Sequence, residues 1–257
     1  MKVVIQILDK LEIIGERPLR HWDANNISCR LNIINPEYMI KTASIESTNE
    51  DLKEFEDQIK ELLRLGVIRR STSIHRLVAF MVRNHSEIVR GKARVVINYK
   101  RLNDNTRMDR YKLLDKIELI NRIQGRKFFS KFDCKSEYWQ VKMHEDSIEW
   151  TVFTCPEGHF KWLVMPFGLK TFGLKTALPI FQRKMNNIFR NYKKKILVYV
   201  DDILVISNNT KEHLENLQTV FKLFVDNGII TSKNKIDLCK SLINFLEVEI
   251  GDGRIKL

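Results

Sequence analysis

The chain has 257 residues, 44% hydrophobic and 30% charged, the balance of a soluble globular protein long enough to bury a sizeable core. No apolar run reaches the ~18 residues of a membrane-spanning helix, and the apolar start MKVVIQILDKLEII is interrupted by Asp9, Lys10 and Glu12 with no small-residue cleavage site after it, so neither a membrane span nor secretion is expected. Lys and Arg number 44 against 32 Asp and Glu, a net charge of +12 that suggests a polyanionic partner such as nucleic acid, although composition alone leaves a merely basic protein equally open.

In chain order, STNEDLKEFEDQIKELLRLG (47–66) predicts a helix. Ser47 and Glu50 have capping-box spacing, Leu52, Phe55, Ile59, Leu62 and Leu63 form one apolar stripe, and Gly66 is the stop. Strands are predicted at Ala79–Val82 and Ala93–Tyr99, joined by the polar loop RNHSEIVRGK. A helix over Asp115–Gln124 ends at Gly125, and in RKFFSKFDCKSEYWQVKM, which follows, Phe129, Phe132 and Val141 suggest a buried strand. Thr151–Thr154 and Phe160–Met165 are expected to pair as a hairpin across Pro156-Glu157-Gly158. A third helix should contain Phe181, Met185, Ile188 and Phe189. A fourth, from about Lys211 to Asp226, should turn Leu214, Leu217, Phe221 and Phe224 inward before Gly228. Short strands at Ile229 and Asn244–Ile250 close the chain, and helices and strands mix without strict βαβ alternation, which favours an α+β fold. The four cysteines and six histidines are scattered with no metal-binding or disulfide spacing.

The run ILVYVDDILVI (196–206) places Asp201 and Asp202 side by side between two apolar strands. A turn explains one aspartate, since Asp tolerates turn geometry. Two neighbouring carboxylates repel by roughly 3 kcal/mol at ~5 Å and an effective dielectric of ~20. A shared hard cation, Mg²⁺ or Mn²⁺, removes that cost, and a pair of such ions is the usual apparatus of in-line phosphoryl transfer. Asp133, at the end of the apolar run KFFSKFD, is the best candidate for a third carboxylate.

At these residues the chain resembles the reverse transcriptases of retroelements, most closely those of plant pararetroviruses of the caulimovirus type. The matching segments are RVVINYKRLNDNT (94–106), FSKFDCKSEYWQVKM (129–143), FTCPEGHFKWLVMPFGLK (153–170), YVDDILVIS (199–207) and INFLEVEI (243–250), in family order and nearly family spacing. The resemblance implies a right-hand polymerase, with an N-terminal segment and fingers over residues 1–108 and a palm over 109–257, of which about 144–170 contribute to the fingers. The expected fold is thus fingers and palm, with thumb and RNase H not expected within these residues.

The resemblance also implies roles. Asp133, Asp201 and Asp202 would bind two catalytic Mg²⁺ ions, with Mn²⁺ as a substitute. Tyr199 would support the loop at the primer terminus, and Tyr138 would be the ring that rejects a ribose 2′-hydroxyl. Lys92 and Arg94 would grip the triphosphate, Lys235 would lie near the leaving phosphate, Phe181 and Gln182 would support template and incoming base, and Phe245 and Leu246 would hold the primer. The partners would be a primed RNA or DNA template, deoxynucleoside triphosphates, and protease and RNase H modules of a parent polyprotein. Cytoplasm and nucleus are both compatible locations.

Several positions depart from the family. Glu137 stands where the family has a small residue, usually Gly, and Glu247 replaces a hairpin Gly. FGLKT is duplicated at 167–171 and 172–176, leaving Phe167 and Phe172 equal candidates for one place. Leu178-Pro179 inverts the usual order of a helix start, and Ile74, Leu77-Val78 and Leu114 stand at turns where the family tends to have Pro. These changes suggest an endogenous copy losing activity while its metal acids persist. The readings to separate are therefore a polymerase, impaired or not, and a nucleic-acid-binding relic; a palm-type nucleotide cyclase lacks its Gly-rich hairpin here.

Overall fold

The computed structural model describes residues 2–15, 27–43, 45–83, 93–111, 113, 115–167, 173–251 and 254–256. Lys92, Leu114 and Phe172 lie outside the described residues, as does most of the expected loop 83–92. In chain order the strands are β1 (Ser28–Cys29), β2 (Ile68–Arg70), β3 (Ala79–Val82), β4 (Arg94–Ile97), β5 (Phe128–Asp133), β6 (Lys142–Met143), β7 (Phe153–Cys155), β8 (Gly158–Trp162), β9 (Ile196–Tyr199), β10 (Asp202–Ser207), β11 (Asp237–Lys240), β12 (Leu242–Phe245), β13 (Val248–Gly251) and β14 (Arg254–Lys256). They divide between two compact units, one of residues 1–26, 111–140 and 179–257, the other of residues 27–110 and 141–178.

The second unit holds three small sheets, β1-β6, β2-β8-β7 and β3-β4. Its long helix, Asn49–Leu65, starts one residue later than the Ser47/Glu50 reading expects. Thr48 is the N-cap, and the reciprocal bonds of the capping box join Thr48 and Asp51, each 3.2 Å. Phe55, Ile59 and Leu62 are buried, whereas Leu52 and Leu63 flank the stripe and are exposed. The expected hairpin forms as β7 and β8, tightened so that Cys155 pairs with Gly158. Of the duplicated FGLKT, the second copy's Gly173 and Lys175 are held by Asn103, whose amide donates to the Gly173 carbonyl (2.7 Å) and accepts from the Lys175 N–H (3.1 Å).

The first unit is built on an antiparallel sheet of order β11-β5-β10-β9. Both faces of its central strands are covered, which is why their sequences read as continuous apolar runs rather than alternating ones. On one face Phe129, Leu197, Leu204 and Ile206 pack with Leu119 and Ile123 of the helix Lys116–Ile123 and with Ile243, Phe245, Val248 and Ile250 of the β12-β13 hairpin. On the other, Phe132 meets Phe221 and Phe224 of the helix Thr210–Asn227 edge to face.

That helix corrects the expected stripe. Leu214 is exposed and His213, one position earlier, is buried. The His213 ring bridges the sheet: Nε2 lies 2.8 Å from Ser130 Oγ and Nδ1 lies 2.7 Å from Ser207 Oγ. Burial lowers its pKa, so it stays neutral with both ring nitrogens bonded. Ile229 lies in no strand, and the expected run 244–250 is the β12-β13 hairpin.

The turn of that hairpin is Leu246-Glu247, with φ of 54° and 69°. Positive φ at both central residues is the condition of a type I′ turn, which favours Gly or Asn. Glu247 meets it against the left-handed penalty of a residue with a Cβ, and its contact with Lys116 (3.6 Å) is too exposed to offset much. Replacing Glu247 by Gly should therefore stabilise the fold by about 0.5–1 kcal/mol, read as a rise in the urea midpoint at unchanged slope.

Candidate active site

Strand pairing brings the predicted carboxylates together. Asp202 opens β10 and lies opposite Asp133, the last residue of β5, while Asp201 occupies the two-residue turn from β9. The apolar strands anchor the hairpin, so its acids stay at one end of the sheet. The Asp201 carbonyl accepts the Cys134 N–H at 2.9 Å, fixing the turn against β5.

The turn is strained. Val200, a β-branched residue, has φ of 55°, a conformation rare for its type. Its N–H donates to Gln182 Oε1 at 2.7 Å. Gln182 lies in the helix Ala177–Ile188 and is wholly buried, with its amide also donating to Asn186 Oδ1 (2.9 Å). The side chain expected to support template and base therefore holds the hairpin backbone. Phe181 beside it meets Tyr138 edge to face at 6.1 Å.

Tyr138 belongs to a 3₁₀ turn, Glu137–Gln140, whose seat is elaborate. The Gln140 side chain donates to the carbonyls of Lys135 (2.6 Å) and Ile230 (2.8 Å) and accepts the Ile230 N–H (3.2 Å). The buried Lys184 ammonium donates to the Gln140 carbonyl at 2.5 Å, and burial lowers its pKa to about 8. Sequence reasoning missed Gln140 and Lys184. Lys184 does carry a signal, because it follows Phe181 by three residues and so lies on the helix's apolar face.

The acids share an electrostatic problem. Burial, then the Asp201 charge, pushes Asp202 up to about 6. Burial first and Asp133 as well raise Asp201. Glu137, a departure in the sequence, is a fourth member, pushed up to about 7 by burial and then by Asp201 and Asp133. The same surroundings raise the Tyr138 hydroxyl to about 12. Two cations offset part of this: the Lys131 charge acts on Asp202, and Lys235 Nζ lies 2.8 Å from Asp133 Oδ2, a hydrogen bond that raises the lysine's pKa. Among the described residues, no three His, Cys, Asp or Glu side chains are gathered closely enough to hold a metal ion as they stand. The donor set is nevertheless all oxygen and short of positive charge, which is the chemistry a hard divalent ion fits.

The other expected residues are distributed as follows. Tyr199 is half-buried, with Lys116 Nζ 5.8 Å from its ring centre. Phe245 is in the core and Leu246 is half-buried in the turn. Arg94 is exposed on β4 in the second unit.

Comparison with known proteins supplies the family. Residues 82–250 match the profile described as Reverse transcriptase (RNA-dependent DNA polymerase). The whole chain is 43% identical over 261 residues to the enzymatic polyprotein of Cauliflower mosaic virus (strain Strasbourg), covering 37% of it, and 42% identical over 264 residues to Polyprotein P3 of Commelina yellow mottle virus, covering 14%. The chain thus spans little more than a third, or less, of these relatives. In fold it resembles the foamy viral protease-reverse transcriptase solved with an RNA/DNA hybrid, with a TM-score of 0.80 at 22% identity, covering 100% of this chain and 33% of that one. The motif order, the fingers-and-palm fold and the matched profile agree: the chain belongs to the reverse transcriptase (RNA-dependent DNA polymerase) family.

Proposed function

We propose that this chain carries the polymerase centre for template-directed DNA synthesis from deoxynucleoside triphosphates on a primed RNA or DNA template. The observation that carries the reading is the register that sets Asp202 opposite Asp133 with Asp201 in the adjoining turn. Those three carboxylates would hold two divalent ions, Mg²⁺ or Mn²⁺. The chemistry such a pair supplies is a lowered pKa for the primer 3′-hydroxyl and charge neutralisation at the triphosphate and leaving pyrophosphate.

The chain's own residues prepare the rest. Gln182 holds the strained Val200 turn and so positions Asp201. The Gln140 and Lys184 bonds hold the turn that presents Tyr138, whose ring would exclude a ribose 2′-hydroxyl. Lys235 would exchange its carboxylate partner for a phosphate, and Lys92 and Arg94 would grip the triphosphate. Tyr199, Phe245 and Leu246 would seat the primer. The relatives are polyproteins, so protease and RNase H modules are the proposed neighbours in a longer parent chain.

A second reading, a binding relic with failed chemistry, is favoured by Glu137, which places a fourth carboxylate among the three acids. Primer extension on RNA with Mg²⁺ separates the two, run on the native chain and on one repaired by Glu137→Gly and Glu247→Gly. Extension by the native chain supports a working polymerase. Extension by the repaired chain alone supports a decayed enzyme with this same centre. Failure of both, with template still bound, overturns the polymerase reading in favour of the relic.

A further inference from the structure

The sheet that ends in acids begins in bases. At the end of β5, β10 and β9 opposite the aspartates, Lys127 precedes β5 and donates its backbone N–H to the Ser207 carbonyl (3.0 Å), while the Lys195 carbonyl before β9 accepts the Ile206 N–H (2.9 Å). Arg190, Lys193 and Lys194 fill the turn leading to β9, and Lys211 lies in the first turn of the helix that follows β10. All six side chains are exposed, and among the described residues none of the six makes an ion pair. The nearby acids do not answer them. Glu118 is engaged with Arg122, the Glu212 carboxylate accepts the Asn208 N–H, and Glu215 faces solvent on the helix.

We propose that this basic end is a second nucleic-acid surface, which binds the phosphate backbone of a single strand apart from the acidic end. β5 has six residues, so the two ends are separated by about 20 Å at ~3.3 Å per residue. That is about two Debye lengths at physiological salt, so the acids screen little of the basic field. Neighbouring strands lie ~4.8 Å apart and β10 separates β5 from β9, so Lys127 and Lys195 stand about 10 Å apart across this end of the sheet, a patch broad enough to meet more than one phosphate of a strand. The half-buried Tyr192 between the cations offers an aromatic ring to a base, a feature that suits a nucleic acid better than an acidic peptide. A polymerase that must keep hold of a template between nucleotide additions gains from such a contact, though binding here requires no chemistry at the aspartates.

The test is fluorescence anisotropy of a labelled oligouridylate of about 20 nucleotides across a salt series. It compares the full chain, Lys193→Gln/Lys194→Gln/Lys195→Gln, Lys127→Gln/Lys211→Gln, and a control of equal charge loss elsewhere, Lys53→Gln/Lys60→Gln/Lys222→Gln. The triple variant of the basic end should bind about tenfold more weakly at ~0.1 M salt, and its log–log salt slope should fall by about 2, at ~0.7 for each phosphate that is no longer neutralised. The Lys127/Lys211 pair should lower the slope by about half as much or somewhat more, and the control should leave it near native. Equal losses in control and triple, or an unchanged slope, overturn the proposal. So does a selective loss of binding to phosphatidylserine vesicles or polyglutamate with RNA binding intact. Far-ultraviolet circular dichroism checks that each variant is folded. Repeating the series in Asp201→Asn keeps this outcome separate from that of the polymerase reading, because the expected slopes are the same with chemistry removed.

Discussion

Asp201→Asn should abolish primer extension, by about a thousandfold or more, while making the metal-free protein more stable. The loss corresponds to about 4 kcal/mol or more of transition-state stabilisation, the scale expected when one of three acids held for divalent ions loses its charge. The gain follows from the same carboxylate. Burial and Asp133 hold its pKa above the ordinary carboxylate value, so at neutral pH the ionised group opposes folding. Asparagine keeps the shape and removes the charge. The turn survives, because what ties it down is backbone: the Asp201 carbonyl to the Cys134 N–H and the Val200 N–H to Gln182. Thermal unfolding in chelator should show the variant melting above the native chain. Added Mg²⁺ should narrow or reverse the gap, since only the native site gains the full stabilisation of a bound ion. A variant that loses activity and also melts lower in chelator would mean that Asp201 is a structural residue of the turn, and would sink its proposed role.

The same conflict between charge and burial is what makes the candidate site legible in the sequence. Adjacent aspartates in an apolar run conflict with local energetics, and such conflicts mark places where something beyond folding is served. The strand pattern of ILVYVDDILVI and KFFSKFD contained the elements that bring Asp201 and Asp202 to Asp133, and the pairing supplied the register. Less legible were the residues whose reason lies across the sheet. Leu214 and His213 are adjacent on one helix, about 100° apart in direction, and only the hydroxyls of Ser130 and Ser207 decide that the histidine goes inside. Likewise Ser47 and Thr48 are adjacent caps, each with an acid three residues on, and the helix uses Thr48 with Asp51. Gln182, read as a nucleotide-pocket residue, is spent on a backbone N–H eighteen positions away, a bond no local pattern announces. Glu137 was visible as a departure from the family, but its burial beside two aspartates was not.

Glu137 should give the metal-free chain an inverted pH dependence, and Glu137→Gln should flatten it. The carboxyl moves from an ordinary 4.5 up to about 7 on folding, chiefly through burial and then through Asp201 and Asp133. Below about pH 4.5 both folded and unfolded chains carry the proton, and the group contributes no difference. As pH rises from there towards 7 the unfolded chain releases its proton while the folded chain keeps it, so the unfolded state binds fewer protons and stability falls. Above 7 both are ionised, and the full penalty, up to about 3 kcal/mol at ~1.36 kcal/mol per unit, persists. Asp202, pushed up to about 6, adds a loss of the same sign that is complete at a lower pH. Urea unfolding in chelator should therefore show the native chain weakening between about pH 4 and 7 (a window set by ordinary and folded values), with the slope against pH reduced in Glu137→Gln. The kinetic counterpart follows from charge. An ionised Glu137 repels an incoming triphosphate, so the glutamine variant should lower KM for deoxynucleotides by about tenfold or more at pH 8, worth about 1.4 kcal/mol, with a smaller gain near pH 6 where the native carboxyl is protonated. A native chain whose stability does not decline across that range would show that Glu137 reaches solvent, and the repulsive fourth carboxylate would then no longer account for any loss of activity.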